Sequence, residues 1–169
     1  MSKEIVNRVA ASNLITIDLE EFYPDGKRTI FDISKWLYEG FILKEKDFRE
    51  RVESHNWSQY RDNYVALTCS TDAIIPSWSY LLITTKLSLF AKKIVVGNLE
   101  LLETIIYQEI ISNLQLDSFK DKPIIIKGCT NKPIPSTISV QLVQKLIPVA
   151  KSIMFGEACS TVPLYKSQK

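Results

Sequence analysis

The residues best equipped for chemistry are three cysteines: Cys69 in YVALTCST, Cys129 in PIIIKGCT and Cys159 in FGEACST. Each stands just past an apolar run that reads as a strand, and each is followed by Ser or Thr. Open α/β folds gather their sites at the carboxyl ends of parallel strands. Strands of one parallel sheet would therefore carry all three thiols to one edge. A thiolate trio suits zinc or an iron–sulfur cluster, and both usually take four ligands. Candidates for the fourth are Asp72, Glu157 and His55, the only histidine. Each also has a plain reading. Asp72 suits a cap or turn ahead of a helix, Glu157 a solvated surface, and His55 a helix end.

The spacing narrows the chemistry. Cys69 and Cys129 are 60 positions apart and Cys129 and Cys159 are 30 apart, so no CxxC ribbon or thioredoxin motif is present. A thiol enzyme of sulfur transfer or redox type would need a cysteine of lowered pKa beside a cation or helix N-terminus. Cys129 has Lys127 and Lys132 nearby. Free cysteine is also among the most buried residue types and often only packs. Three readings follow: a metal or iron–sulfur protein, a cysteine-dependent enzyme, and a non-enzymatic interaction protein with structural cysteines. No GxGxxG or GxxxxGK[ST] run supplies a nucleotide fingerprint.

Composition bounds the partners. The 169 residues suffice for one domain with a real core, and 46% hydrophobic with 24% charged residues is a globular balance. A net charge of +2, with basic and acidic residues interleaved in KEKDFRERVE, argues against nucleic acid. The N-terminal MSKEIVNRVAAS has no continuous apolar stretch, so it does not read as a secretory signal. IIPSWSYLLITTKLSLF is interrupted by Lys86 and is too short to span a membrane. A cytoplasmic protein is the expectation. There, cysteines are more often free, metal-bound or catalytic than disulfide-bonded. A homodimer is compatible with the many apolar helix faces.

The elements that must position the thiols follow from periodicity. Leu14 to Leu19 alternates as a strand, Pro24-Asp25-Gly26 signals a turn, and Arg28 to Ile33 reads as the returning strand of a hairpin. Lys44 to Ser54 reads as a helix with Phe48 and Val52 on one face. From residue 64 the pattern alternates: strand 64–68, a helix opened by Pro76-Ser77, strand 93–97, a helix capped by Asn98, strand 123–128, a helix from Ser136, and strand 152–156. The continuous apolar strands suit burial on both sides. The expected fold is α/β, a mostly parallel sheet with helices on both faces, an N-terminal hairpin and a helix extension. One domain spans 1–169, with residues 1–63 packed on a βα-repeating core of 64–169. No internal repeat, low-complexity run or linker stands out.

The segments EIVNRVA, DLEEFYP, FDISKWLYEGFILKEKDFR, NYVALTCSTDAIIP, GNLELLETIIYQEI and KSIMFGEACSTVPLYK resemble a bacterial family, the domain of unknown function numbered 2480. The resemblance covers nearly the whole chain and is most specific at the CST segments. It implies a place near iron–sulfur cluster assembly or sulfur handling, with assembly proteins as partners. It assigns no catalytic residue.

Overall fold

A computed structural model describes residues 13–128, 131–157 and 159–168. The chain divides into two compact units. The central unit is Pro24–Ile105, and the terminal unit joins Met1–Tyr23 to Ile106–Lys169. In chain order the strands are β1 (Ile15–Ile17), β2 (Arg28–Asp32), β3 (Tyr64–Thr68), β4 (Lys93–Val96), β5 (Pro123–Ile126), β6 (Ser152–Glu157) and β7 (Ser160–Lys166). The helices are α1 (Glu45–Ser54), α2 (Ser77–Leu87), α3 (Leu99–Asn113) and α4 (Ser136–Leu146).

Two sheets replace the single sheet expected. In the central unit β2, β3 and β4 form a parallel sheet in that order. In the terminal unit β1, β5 and β6 are parallel, and β7 returns antiparallel to β6. The expected strands at 64–68, 93–97, 123–128 and 152–156 all form, as do the helices opened at Ser77 and Ser136. The N-terminal hairpin does not form. β1 and β2 never pair with each other; each lies parallel to a strand far along the chain, Ile17 beside Ile126 and Phe31 beside Leu67. The reason is local. Asp18 and Asp32 each end a strand and accept a backbone N–H two residues on, from Glu20 (2.9 Å) and Ser34 (3.0 Å). These short caps start 3₁₀ turns, Leu19–Phe22 and Ile33–Trp36, which carry the chain off the sheet. At Pro24-Asp25-Gly26 the chain bends at Gly26, where Arg28 donates to the carbonyls of Pro24 (2.7 Å) and Gly26 (2.6 Å), and this segment stands at the boundary of the two units.

The absence of an internal repeat is also overturned. Residues 104–156 reproduce 45–97 without a gap at an offset of 59 positions (156 − 97). Strand register repeats with the sequence: Leu67 beside Val96 becomes Ile126 beside Phe155. Phe48 and Val52 of α1 correspond to Tyr107 and Ile111 of α3, and Leu87 of α2 to Leu146 of α4; all six are buried. Asp62 and its counterpart Asp121 both adopt a left-handed backbone, at φ 61 and 56. Their N–H groups donate to the equivalent carbonyls of Phe90 (3.0 Å) and Val149 (2.9 Å). Gly97, just past β4, and Gly156, near the end of β6, both have positive φ, 147 and 123, where a side chain would be strained. β1 with its 3₁₀ turn matches β2 with its own. Each copy thus closes its own core around the same positions. Full burial of a leucine such as Leu87 or Leu146 contributes roughly 2–3 kcal/mol before entropy is counted. β7 and residues 99–103 have no counterpart in the other copy.

Candidate functional site

The carboxyl ends of the parallel strands, where α/β proteins place chemistry, carry a different polar cluster in each unit. In the central unit Asp32 closes β2 beside Thr68 of β3. Its Oδ1 accepts the backbone N–H of Ser34 and of Ser70, both at 3.0 Å, and its Oδ2 accepts the Ser70 hydroxyl at 2.6 Å. The Ser34 and Ser70 hydroxyl oxygens are 2.8 Å apart. Burial alone would raise the Asp32 pKa, but hydrogen bonds from Ser70 and Ser34 outweigh it and hold the carboxyl at about 2. A carboxylate held this far below neutrality is a weak base toward the Ser70 hydroxyl that already donates to it. Asp32 instead fixes two loops, the 3₁₀ turn after β2 and the Ser70 turn after β3.

In the terminal unit the equivalent carboxylate is Asp18, and the position beside it holds a lysine. Lys127 donates to Asp18 Oδ2 at 2.7 Å. That bond lowers the Asp18 pKa against the effect of burial, with the Glu20 N–H adding to it, and raises that of Lys127. Glu20 accepts the backbone N–H groups of Asn131 and Lys132. Glu20 of the acidic run DLEEFYPDG is therefore spent on pinning a loop.

The thiols are distributed over the two sheets. Cys69 follows β3 in the central unit, half-buried against its core. Its S–H donates to the Thr71 carbonyl at 3.4 Å, and Thr71 Oγ1 donates to the Gly40 carbonyl at 2.9 Å. Cys159 is exposed between β6 and β7 of the terminal unit. Cys129 lies outside the described residues. The shared sheet edge that would have gathered three thiols is not the architecture, because their strands belong to two sheets. Among the described residues no three His, Cys, Asp or Glu side chains group as ligands for one metal ion. No helix among them is long and apolar enough to cross a membrane.

The other expected ligands have local roles. Asp72 is exposed in the loop ahead of α2, whose N-cap position is held by Pro76. Glu157 is exposed at the end of β6, and its charge helps raise Lys127. His55 caps the C-terminus of α1 and sits in an aromatic cluster, its ring 4.7 Å from Trp57 and 5.2 Å from Trp36. Its Nε2 lies 3.1 Å from both Tyr60 Oη and Gln59 Nε2, and burial lowers its pKa. Trp57 is core, its indole N–H donating to the Val52 carbonyl at 2.8 Å. Sequence reasoning passed over Asp32, Ser34 and Ser70. The signal was present as Asp-x-Ser just after an apolar strand, the pattern of an Asx turn.

Residues 3–167 match the profile of DUF2480, described as a protein of unknown function. The chain belongs to this family. No curated protein and no solved structure matches the chain. Within this DUF2480 chain, residues identical in both copies serve the architecture: Asp62 and Asp121, Pro76 and Pro135, Leu87 and Leu146, Gly97 and Gly156. The strand-end loops instead diverge, CSTD in one copy against GCTN in the other.

Proposed function

We propose that this DUF2480 chain is a non-enzymatic interaction protein with structural cysteines, and that it acts as a homodimer through one apolar groove of its terminal unit. The groove, of about 260 Å³, runs between α4 and the sheet, with Val140, Val143, Phe155 and Leu164 in its walls. That groove carries the reading. Large apolar side chains stand exposed there, Val140 at 58% and Leu164 at 50%, and no charged residue lines it. The choice of a second copy as occupant rests on that neutrality. Two copies can face each other across an uncharged surface without like-charge repulsion, as a two-fold interface requires. β7 has no counterpart in the central unit, and its Leu164 is part of the wall. The central counterparts of Val140 and Phe155, Leu81 and Val96, are also exposed, so the wall that Leu164 adds is what distinguishes the terminal groove.

The structural role of the cysteines is supported by Cys69, whose S–H is spent as a donor to Thr71. A thiolate ligand would lose that bond. The metal reading, on Cys69, Cys129 and Cys159 with Asp72, Glu157 or His55, is the rival, and iron–sulfur assembly proteins are its natural partners.

Two measurements on the full chain test the proposal. Sedimentation equilibrium from about 1 to about 100 µM should show a dimer, and Val140→Glu with Leu164→Glu should weaken it about a hundredfold by burying unpaired charge. A wild-type monomer throughout that range overturns the homodimer. Anaerobically purified protein should carry neither zinc nor iron with acid-labile sulfide. Stoichiometric metal that is lost on Cys69→Ser overturns the structural role.

A further inference from the structure

The two copies of the unit are nested in the chain. In the central copy the connection from the 3₁₀ turn Ile33–Trp36 to α1 is residues 37–44. In the terminal copy the matching connection, from Leu19–Phe22 to position 104, is residues 23–103 and contains almost the whole central copy. β1 precedes its counterpart β2 by 14 positions (31 − 17), whereas β5 follows its counterpart β3 by 59 (126 − 67). One copy thus brackets the other.

We infer that the central copy is an insertion in the first connection of the terminal copy, and that the two open as separate cooperative units. β1 lies 11 positions before β2 (28 − 17) and 109 before its partner in β5 (126 − 17). Among the described residues all of its strand pairing is to β5. Ile17 and Leu19 are core residues of the terminal unit, with Tyr107 donating to the Leu19 carbonyl at 2.9 Å and Asp18 paired to Lys127. β2 pairs with β3, and Phe31 and Ile33 belong to the core of the central unit. The stability of β1 therefore follows the distant β5 and α4, and that of β2 follows β3 and α2. Cooperative opening tracks shared core and ladder rather than sequence proximity.

Native-state hydrogen exchange on the full-length chain tests this with two variants at matched, fully buried positions, Leu87→Ala and Leu146→Ala. Leu87→Ala should speed exchange in residues 28–32 and 64–68 by about tenfold or more and leave residues 15–17 and 124–126 unchanged. Leu146→Ala should do the reverse. Should either alanine variant fail to fold, Ile33→Val and Ile124→Val, both fully buried, give the same contrast at about threefold to tenfold. Equal acceleration of both sets by either variant overturns the inference. So does exchange in residues 15–17 that follows the central variant.

Discussion

Arg28 and Glu103 form the most deeply buried ion pair described in the central unit, and removing one partner tests how that unit is held together. Glu103 is 2% exposed. Arg28 Nε donates to its Oε1 at 2.6 Å and a second guanidinium N–H reaches Oε2 at 3.3 Å, while the guanidinium lies over the Tyr64 ring at 4.7 Å. At an effective dielectric of about 20 and a charge separation of about 4 Å, the attraction is about 4 kcal/mol. Glu103→Ala removes it and leaves the guanidinium buried. The Pro24 and Gly26 carbonyls still accept from Arg28, so the loss should fall at the lower end of the range for broken buried pairs, about 3 kcal/mol. All three tryptophans, Trp36, Trp57 and Trp78, lie in the central unit, so tryptophan fluorescence in urea reads this unit. With a slope of about 1 kcal/mol/M for a unit this small, the midpoint should drop by roughly 3 M. The double variant Arg28→Met, Glu103→Leu should recover most of the loss, because it removes the charge along with its partner. A loss below about 1 kcal/mol for Glu103→Ala would refute the argument. A double variant as unstable as the single would refute it too, since lost packing and not an unpaired charge would then be the cause.

Three further outcomes follow from the same geometry. Asp32 has its folded-state pKa depressed to about 2 from 3.8, so its contribution is complete above pH 4 and fades as pH falls toward 2. Urea titrations across that window should show wild type losing up to about 2 kcal/mol more than Asp32→Asn, and parallel curves would count against it. The His55 pKa is lowered by burial, so the folded chain binds a proton less readily than the unfolded one. Stability of the central unit should decline as pH falls below 6.5 through the folded-state value, and His55→Phe should flatten that slope. Gly156→Ala combines positive φ with a Cβ 2.5 Å from the Ser160 carbonyl oxygen, whereas at Gly97 the added Cβ meets only the movable end of Leu101. Thermal unfolding should show a cost of about 1–3 kcal/mol at Gly156 and less at Gly97; the opposite order would contradict the account.

The βα alternation was legible because YVALT, IVV and III are continuous apolar runs bounded by helix starts at Pro76-Ser77 and Pro135-Ser136. Which strand pairs with which was not legible. Ile17 finds Ile126 across 109 positions, and no local pattern encodes that partner. Pro24-Asp25-Gly26 stands at the boundary of two units instead of between two paired strands. The repeat stayed hidden because 12 of 53 aligned positions are identical, too few to stand out without the strand register. Of the candidate site, the cysteines drew attention by type, yet Cys69 serves its loop. The carboxylates Asp18 and Asp32 hold the strand ends. Their partners Lys127 and Ser70 lie 109 and 38 positions away, beyond the reach of a spacing argument.

The claim on which the rest depends is that the chain holds one unit twice, with β1 and β2 in different sheets. Interstrand nuclear Overhauser contacts in the full-length protein test it most directly. The account predicts contacts from Ile17 to Ile126 and from Phe31 to Leu67, in matching parallel register. Contacts between residues 15–17 and 28–32, as an antiparallel hairpin would give, would contradict it.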